Sequence, residues 1–319
     1  MAYAQQRIRL LLVPEGQPMK LPQHRRYDPV PLPDRKTYEW PNETRLAFSL
    51  YNNIEHFAYR QGLGADSAVP APTQQTQRSW AWRDYGNRAG IWYYFDMLDE
   101  YELPASHNVN SMALDVYPSI ASRMVERGDE FVGHGRTNSE RQDVLWEEDE
   151  ARLIEEATAA IAKHAGSRPK GWLGPFLAQS AVTLDLLKEA GYDYCMDWPA
   201  DDQPFWMRTR SGPILSVPYP VELNDVPAMT TRQESHRAFE DMIIDQFDMM
   251  LRLSEKYPLV MGVTCHPFVI AQPFRLASLR RALDHVLKHR DQIWVTTPGE
   301  IAKYCASLPK GTIPGSEEF

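Results

Sequence analysis

Cysteine is scarce in this chain. Its three residues, Cys195, Cys265 and Cys305, stand at spacings that fit neither a disulfide framework nor a metal-ligand cluster. A disulfide-stapled or zinc-built fold is therefore set aside, and buried free thiols in a reducing compartment are expected. Long apolar runs are lacking too. Near the amino terminus, Leu10 to Val13 is a run of about four residues, against at least ~7 for a secretory core and ~20 for a membrane span. A cytoplasmic location is expected. Neither a glycine-rich dinucleotide fingerprint nor a Walker loop occurs, so a doubly wound nucleotide-binding sheet is only the second choice of fold. Charge of one sign never accumulates. The net charge is −9 without a long acidic or basic run, which disfavours nucleic-acid and anionic-membrane partners and mainly predicts solubility.

What is present suits one large soluble domain. A length of 319 residues is normal for a single α/β barrel, and a charged fraction of 24% leaves room for a large core. Residues 1–44 read as an extended proline-rich arm, since residues 14–44 keep neither a helical nor a strand period. Such an arm is either a disordered leader or a strap docked on a neighbouring subunit. Residues 45–306 are expected to form the catalytic barrel and residues 307–319 a frayed tail.

From Arg45 onward, strand-like runs alternate with helix-like ones. The strand-like runs are RLAFSLYNN, ASHNVNS, EFVGHG, KGWLGP, YDYCMDW, ILSVPYP, LVMGVTCH and IWVTTP. Between them, helices are expected over about residues 90–101, after a long loop containing APTQQTQRS, and then over 117–128. Others are expected around Leu153 to Ile161, over 182–190, from Phe239 to Leu251 and over 276–288. Seven or eight strands alternating with helices predict an α/β fold with a parallel sheet closed into a distorted (β/α)7-8 barrel.

In such folds the carboxyl ends of the strands face the ligand. The first strand ends in Asn52-Asn53-Ile54-Glu55-His56 and the third in His134-Gly135-Arg136-Thr137-Asn138. The fourth runs into Trp172-Leu173-Gly174-Pro175, the fifth into Asp197-Trp198 with Asp201 and Asp202 close behind, and LVMGVTCH ends at His266. A lone histidine or acid at a strand end is usually a capping residue. Several on successive strands converge at one mouth, as acid–base hydrolysis requires.

The order and spacing of these strand ends resemble the polysaccharide-deacetylase (NodB-homology) superfamily over about residues 45–305, and that resemblance implies the same distorted barrel. Glu55-His56 stands where that family has paired aspartates, a base and a metal ligand. His134 and Asn138 occupy its His-x-x-x-His frame without the second histidine, and Thr264-Cys265-His266 fills its last motif, whose histidine is the general acid. Leu173-Gly174-Pro175-Phe176 replaces an Arg-Pro-Pro-Tyr-like segment. If a zinc or other divalent metal were held, the resemblance would assign it to Glu55 or His56, His134 and Asn138. A catalytic zinc wants about three protein ligands, and an amide is a poor one, so no cofactor is expected. Comparable departures mark a branch similar to the metal-independent allantoinases and cyclic imidases. Its features are matched here by Gly171-Trp172, Asp201-Asp202-Gln203-Pro204 and His266-Pro-Phe-Val-Ile-Ala-Gln-Pro273-Phe-Arg275. Because the related allantoinases are oligomeric, a homo-oligomer, as a tetramer, is expected.

These residues frame a mechanism. Glu55 is the expected base, its pKa raised by partial burial, with His134 sharing that role or orienting the water. Asn138 is a candidate oxyanion donor and His266 the acid. Trp172 and Trp198 would wall a flat ring, while Asp202, Arg88 and His56 would meet its polar groups. The expected partner is a small-molecule substrate, a cyclic amide, imide or ureide. A metal-dependent N-deacetylase of a sugar derivative and a non-enzymatic scaffold on the same barrel are the rival readings.

Overall fold

The computed structural model describes residues 23–318 apart from residues 63, 65 and 67–73. Leu46–Ile54 carries only apolar and small polar side chains, and all nine are buried, as in a strand covered on both faces. It is β1. The others are β2 (Ser106–Val109), β3 (Glu130–Gly133), β4 (Gly171–Trp172), β5 (Tyr194–Cys195), β6 (Phe205–Thr209), β7 (Gly212–Ser216), β8 (Leu259–Cys265) and β9 (Ile293–Val295). They form one curled sheet in the order β6-β7-β5-β4-β3-β2-β1-β8. Every pairing is parallel except the β6–β7 hairpin. β8 runs along β1 from Leu46 to Asn52, so β9 and β2 must share the opposite edge of β1, β9 beside Leu46 to Phe48 and β2 beside Tyr51 to Ile54. The ends of the order, β6 and β8, are not paired, which leaves the barrel open on one side.

The helices are α1 (Gln77–Tyr85), α2 (Ile91–Glu100), α3 (Ser111–Val116), α4 (Pro118–Arg127), α5 (Glu147–Ala165), α6 (Thr183–Glu189), α7 (His236–Ser254), α8 (Pro273–Val286) and α9 (Pro298–Ser307). No helix among the described residues is long and apolar enough to cross a membrane. α1 begins inside the stretch expected as loop, because Thr76 and Ser79 cap it reciprocally. Between α1 and α2 the chain stays helical through a wide turn at residues 86–90. Gly86 and Gly90 allow that turn to lie on the backbone of Pro267 and Phe268, where a Cβ would come within 2.8 and 2.4 Å. The packing sets α1 beside the carboxyl end of β8.

Two boundaries differ from expectation. Residues 1–22 of the arm lie outside the described residues. In residues 23–44, Arg26 pairs with Asp185 at 2.8 Å and Arg35 with Asp201 at 2.6 Å. Trp40 is buried, its indole N–H donating to the Leu259 carbonyl. The tail is not frayed over its described part, for Ile313 is buried and the Trp206 amide donates to the Pro314 carbonyl. β6, an antiparallel edge strand, was missed because FWMRT lies just before the residues that read as a strand. The buried apolar side chains fall into three clusters: β1 and β8 with α2, α7 and α8; Ala47, Tyr51, Val132, Tyr194 and Leu215 with Trp40 and Ile301; and Trp172, Met207 and Ile214 with α5 and α6.

Candidate active site

Glu55 follows β1, His134 follows β3, Leu173 follows β4 and His266 follows β8. Their side chains line one cavity of about 400 Å³ at the carboxyl ends of the strands, together with Asn53, Arg83, Asn138, Tyr219 and Asn224. Most of its remaining wall is apolar, from Phe57, Trp82, Phe176, Leu177, Val226 and Phe268. A larger hollow of about 810 Å³ borders the open side of the barrel, but it holds none of these histidines.

Glu55 is the centre of the arrangement. Its Oε1 accepts from the Asn138 amide and lies 3.4 Å from His266 Nε2 and 3.7 Å from His134 Nε2. The other side of His266 is fixed by Asp225, whose carboxylate takes the ring Nδ1 at 2.7 Å and the backbone N–H at 2.8 Å. Asp225 reaches that position because Asn224 bridges to Thr264, running this loop beside the end of β8. Burial alone would discharge His266, yet Asp225 and Glu55 hold its pKa up at about 10. Burial likewise favours neutral Glu55, but the charge and the N–H of His266 facing it outweigh burial, holding the carboxyl down at about 2. Glu55 is thus an anion facing an imidazolium. The expectation of a raised Glu55 pKa is corrected: it weighed burial and omitted the cation.

His134 Nδ1 meets the Leu173 carbonyl, which can only accept, so that nitrogen carries the proton. Its Nε2 has no hydrogen-bond partner and presents a lone pair towards Glu55. Asn138 is held at both ends, its Oδ1 accepting from Asn110 at 3.0 Å while its amide nitrogen serves Glu55. Only its second N–H is left for an oxyanion.

The comparisons with known proteins fall on this geometry. Residues 77–195 match the polysaccharide deacetylase family. A peptidoglycan deacetylase of Helicobacter pylori is 23% identical over 244 residues, 66% of this chain and 82% of that one. The solved structure of Puue allantoinase superposes with a TM-score of 0.80 at 25% identity, covering 91% of this chain and 99% of its own. A Pseudomonas aeruginosa protein described as a probable polysaccharide deacetylase gives 0.76 at 26%, covering 83% and 92%. Over residues 77–195 the chain is similar to polysaccharide deacetylases, and its fold is that of these structures. Deacetylases and allantoinase are alike hydrolases of C–N bonds. Glu55 and His266 lie outside the matched stretch and join His134 and Asn138 only through the fold.

Within this site the donor set does not suit a metal. Among the described residues no three His, Cys, Asp or Glu side chains come together as a metal site. Asn138 turns its nitrogen, which is no ligand, towards Glu55, and its oxygen is already engaged. His266 has Asp225 on one nitrogen and Glu55 3.4 Å from the other.

Five expected substrate contacts fall elsewhere. Trp172 is fully buried beneath the sheet against Tyr192, its ring filling the space that side-chain-free Gly133 leaves. Trp198 packs on Tyr27 and His24 and donates to Gln179. Asp202 lines the larger hollow. Arg88 is exposed on the turn after α1, whereas Arg83, buried on α1, faces the cavity. His56 contributes backbone, its carbonyl accepting from the Asn138 N–H and the Thr137 hydroxyl, and its ring is not among the lining groups. The sequence reading missed Asp225, Arg83, Asn110 and Tyr219. Asp225, one residue past Asn224 in a loop of VELNDVP, carried no strand-end signal.

Proposed function

We propose that this chain hydrolyses the C–N bond of a small cyclic amide, imide or ureide, opening the ring by acid–base chemistry carried by its own side chains. The observation that supports it best is the ionised Glu55 facing the His266 imidazolium across a mostly apolar cavity of about 400 Å³. A mostly apolar cavity of that size suits a compact ligand. Water held between Glu55 Oε1 and His134 Nε2 would lose its proton to the carboxylate as its oxygen bonds to the ring carbonyl. The second Asn138 N–H and the His266 cation offset the oxyanion. His266 then protonates the departing nitrogen, and the proton on Glu55 resupplies His266 across 3.4 Å. One water is added and nothing else is consumed. The cytoplasm is the proposed compartment and a homotetramer the proposed assembly, which light scattering at micromolar concentration would refute by giving a monomer.

The purified protein should open at least one ring of a panel of cyclic imides, hydantoin-like rings and ureides, with activity unchanged by chelation. It should release no acetate from N-acetylglucosamine oligomers. Acetate release from those oligomers without any ring opening, or activity lost on chelation and restored by zinc, would reverse this reading in favour of a metal-dependent deacetylase.

A further inference from the structure

An apolar wall accepts a flat ring but does not orient it; a few polar groups must do so. Glu55, His134 and His266 are committed to the bond that breaks. Among the cavity's described lining residues outside that set, Arg83 alone carries a fixed charge. It is 7% exposed, and its guanidinium lies over the Phe57 ring, 4.3 Å from the centroid. Stacking fixes the plane of a guanidinium and leaves its N–H edges directed outward, a preorganisation an ammonium lacks. The packing of Gly86 and Gly90 on Pro267 and Phe268 keeps α1 on the His266 side of the cavity, where the leaving nitrogen would lie.

We propose that Arg83 selects the substrate by binding the ring carbonyl that is not attacked, so that rings with two carbonyls flanking one nitrogen are preferred over rings with one. The assignment rests on the hydrolytic reading above. A further argument supports it. As water's oxygen bonds to the first carbonyl carbon and the C–N bond breaks, the nitrogen's electron pair spreads onto the second carbonyl oxygen. A guanidinium on that oxygen stabilises the departing group until His266 supplies its proton. Arg83 therefore acts on both binding and turnover.

The experiment has two arms. In the first, Arg83→Met should lower kcat/KM for succinimide and for whichever ring the panel shows to be opened best by roughly 10- to 100-fold, the range expected when a hydrogen bond to a charged group is lost. Arg83→Lys should recover only part, because it keeps the charge and loses the planar fork. In the second, calorimetry measures binding to Glu55→Gln protein, with and without Arg83→Met. Succinimide should bind about 10-fold more weakly without Arg83, while 2-pyrrolidinone, with one carbonyl, should change less than about 3-fold. Circular dichroism checks folding, and if the methionine variant does not fold, the lysine variant decides by the same readouts. Ring opening by the wild type that is unaffected at position 83 overturns this assignment alone. Absence of all ring opening with an Arg83-dependent succinimide affinity overturns the hydrolytic reading and keeps the binding site. Equal losses for both ligands, or no succinimide binding, overturn the assignment.

Discussion

Among the described residues two histidines hydrogen-bond to buried aspartates, and only one of them keeps a nitrogen open to a cavity. His107, in β2, has Asn52 at Nδ1 (2.8 Å) and Asp129 at Nε2 (3.0 Å), and it is fully buried. The Asn52 amide donates, so Nδ1 accepts and Nε2–H serves Asp129, which Arg127 also holds at 2.9 Å. Both nitrogens are spent and the ring is buried. His266 has Asp225 on one nitrogen only, and the other faces a second carboxylate in an open space. A His–Asp pair is therefore not a site in itself. What separates the two is a nitrogen left over, and room beside it.

The largest effects should test that distinction directly. Glu55→Gln, His266→Ala and His134→Ala are each expected to lower turnover by about 10² or more with the fold intact. His107→Ala should do the reverse. It strands Asn52 and Asp129 in the core and should cost about 2–4 kcal/mol of stability, while the folded fraction keeps its turnover. Urea unfolding alongside steady-state rates separates the two, and near-normal turnover in Glu55→Gln would transfer the base role to His134.

Asp225 comes next. Replacing it with asparagine leaves one oxygen to accept from the ring, gives up the contact to the backbone N–H, and removes one of two anions that hold His266 protonated. Turnover at neutral pH should fall about 10- to 10³-fold, within the range seen when such an orienting carboxylate is neutralised. The wild-type alkaline limb of kcat/KM, expected near the raised His266 pKa of about 10, should move towards neutrality by at least about one unit. An unmoved limb would mean that His266 is not the titrating acid.

Much of this was legible beforehand, for identifiable reasons. The buried β1 and β8 are continuous apolar runs, and helices such as α4 and α5 carry clear periods and end in left-handed Gly128 and Gly166. That Glu55, His134 and His266 meet at one cavity could be read because strand ends in a barrel must converge. Asp225 and Arg83 could not, since a loop after β7 and a helix after a long connection reach the cavity through packing that no local pattern records. Trp172 misled for a related reason. Its neighbour Leu173 faces the cavity, and alternation along a strand sends the two to opposite faces, a parity that a two-residue strand beside glycines does not disclose.

The smallest expected effect concerns a third buried aspartate, one without a histidine partner. Asp197 accepts from the Gly174 N–H and from Gln179, both at 2.6 Å, and so anchors the segment from Leu173 to Leu177 that lines the cavity, where Phe176 and Leu177 hold left-handed φ values of 63° and 55°. Burial, only partly offset by these hydrogen bonds and by His134, raises its pKa from 3.8 to about 6. The sign follows from proton uptake. Between those two values the folded chain binds the proton more tightly than the unfolded one, so this group's contribution is fully present below 3.8 and is lost as pH rises through about 6. Its size is about 2–3 kcal/mol across the window. Asp197→Asn keeps an acceptor for Gly174, gives up the bond from Gln179 at every pH, and abolishes the titration. Unfolding free energies of wild type and variant, measured from pH 7 down to pH 4, should therefore diverge in favour of the wild type as the solution becomes more acidic. Parallel curves would show that Asp197 keeps an ordinary carboxylate pKa despite its burial.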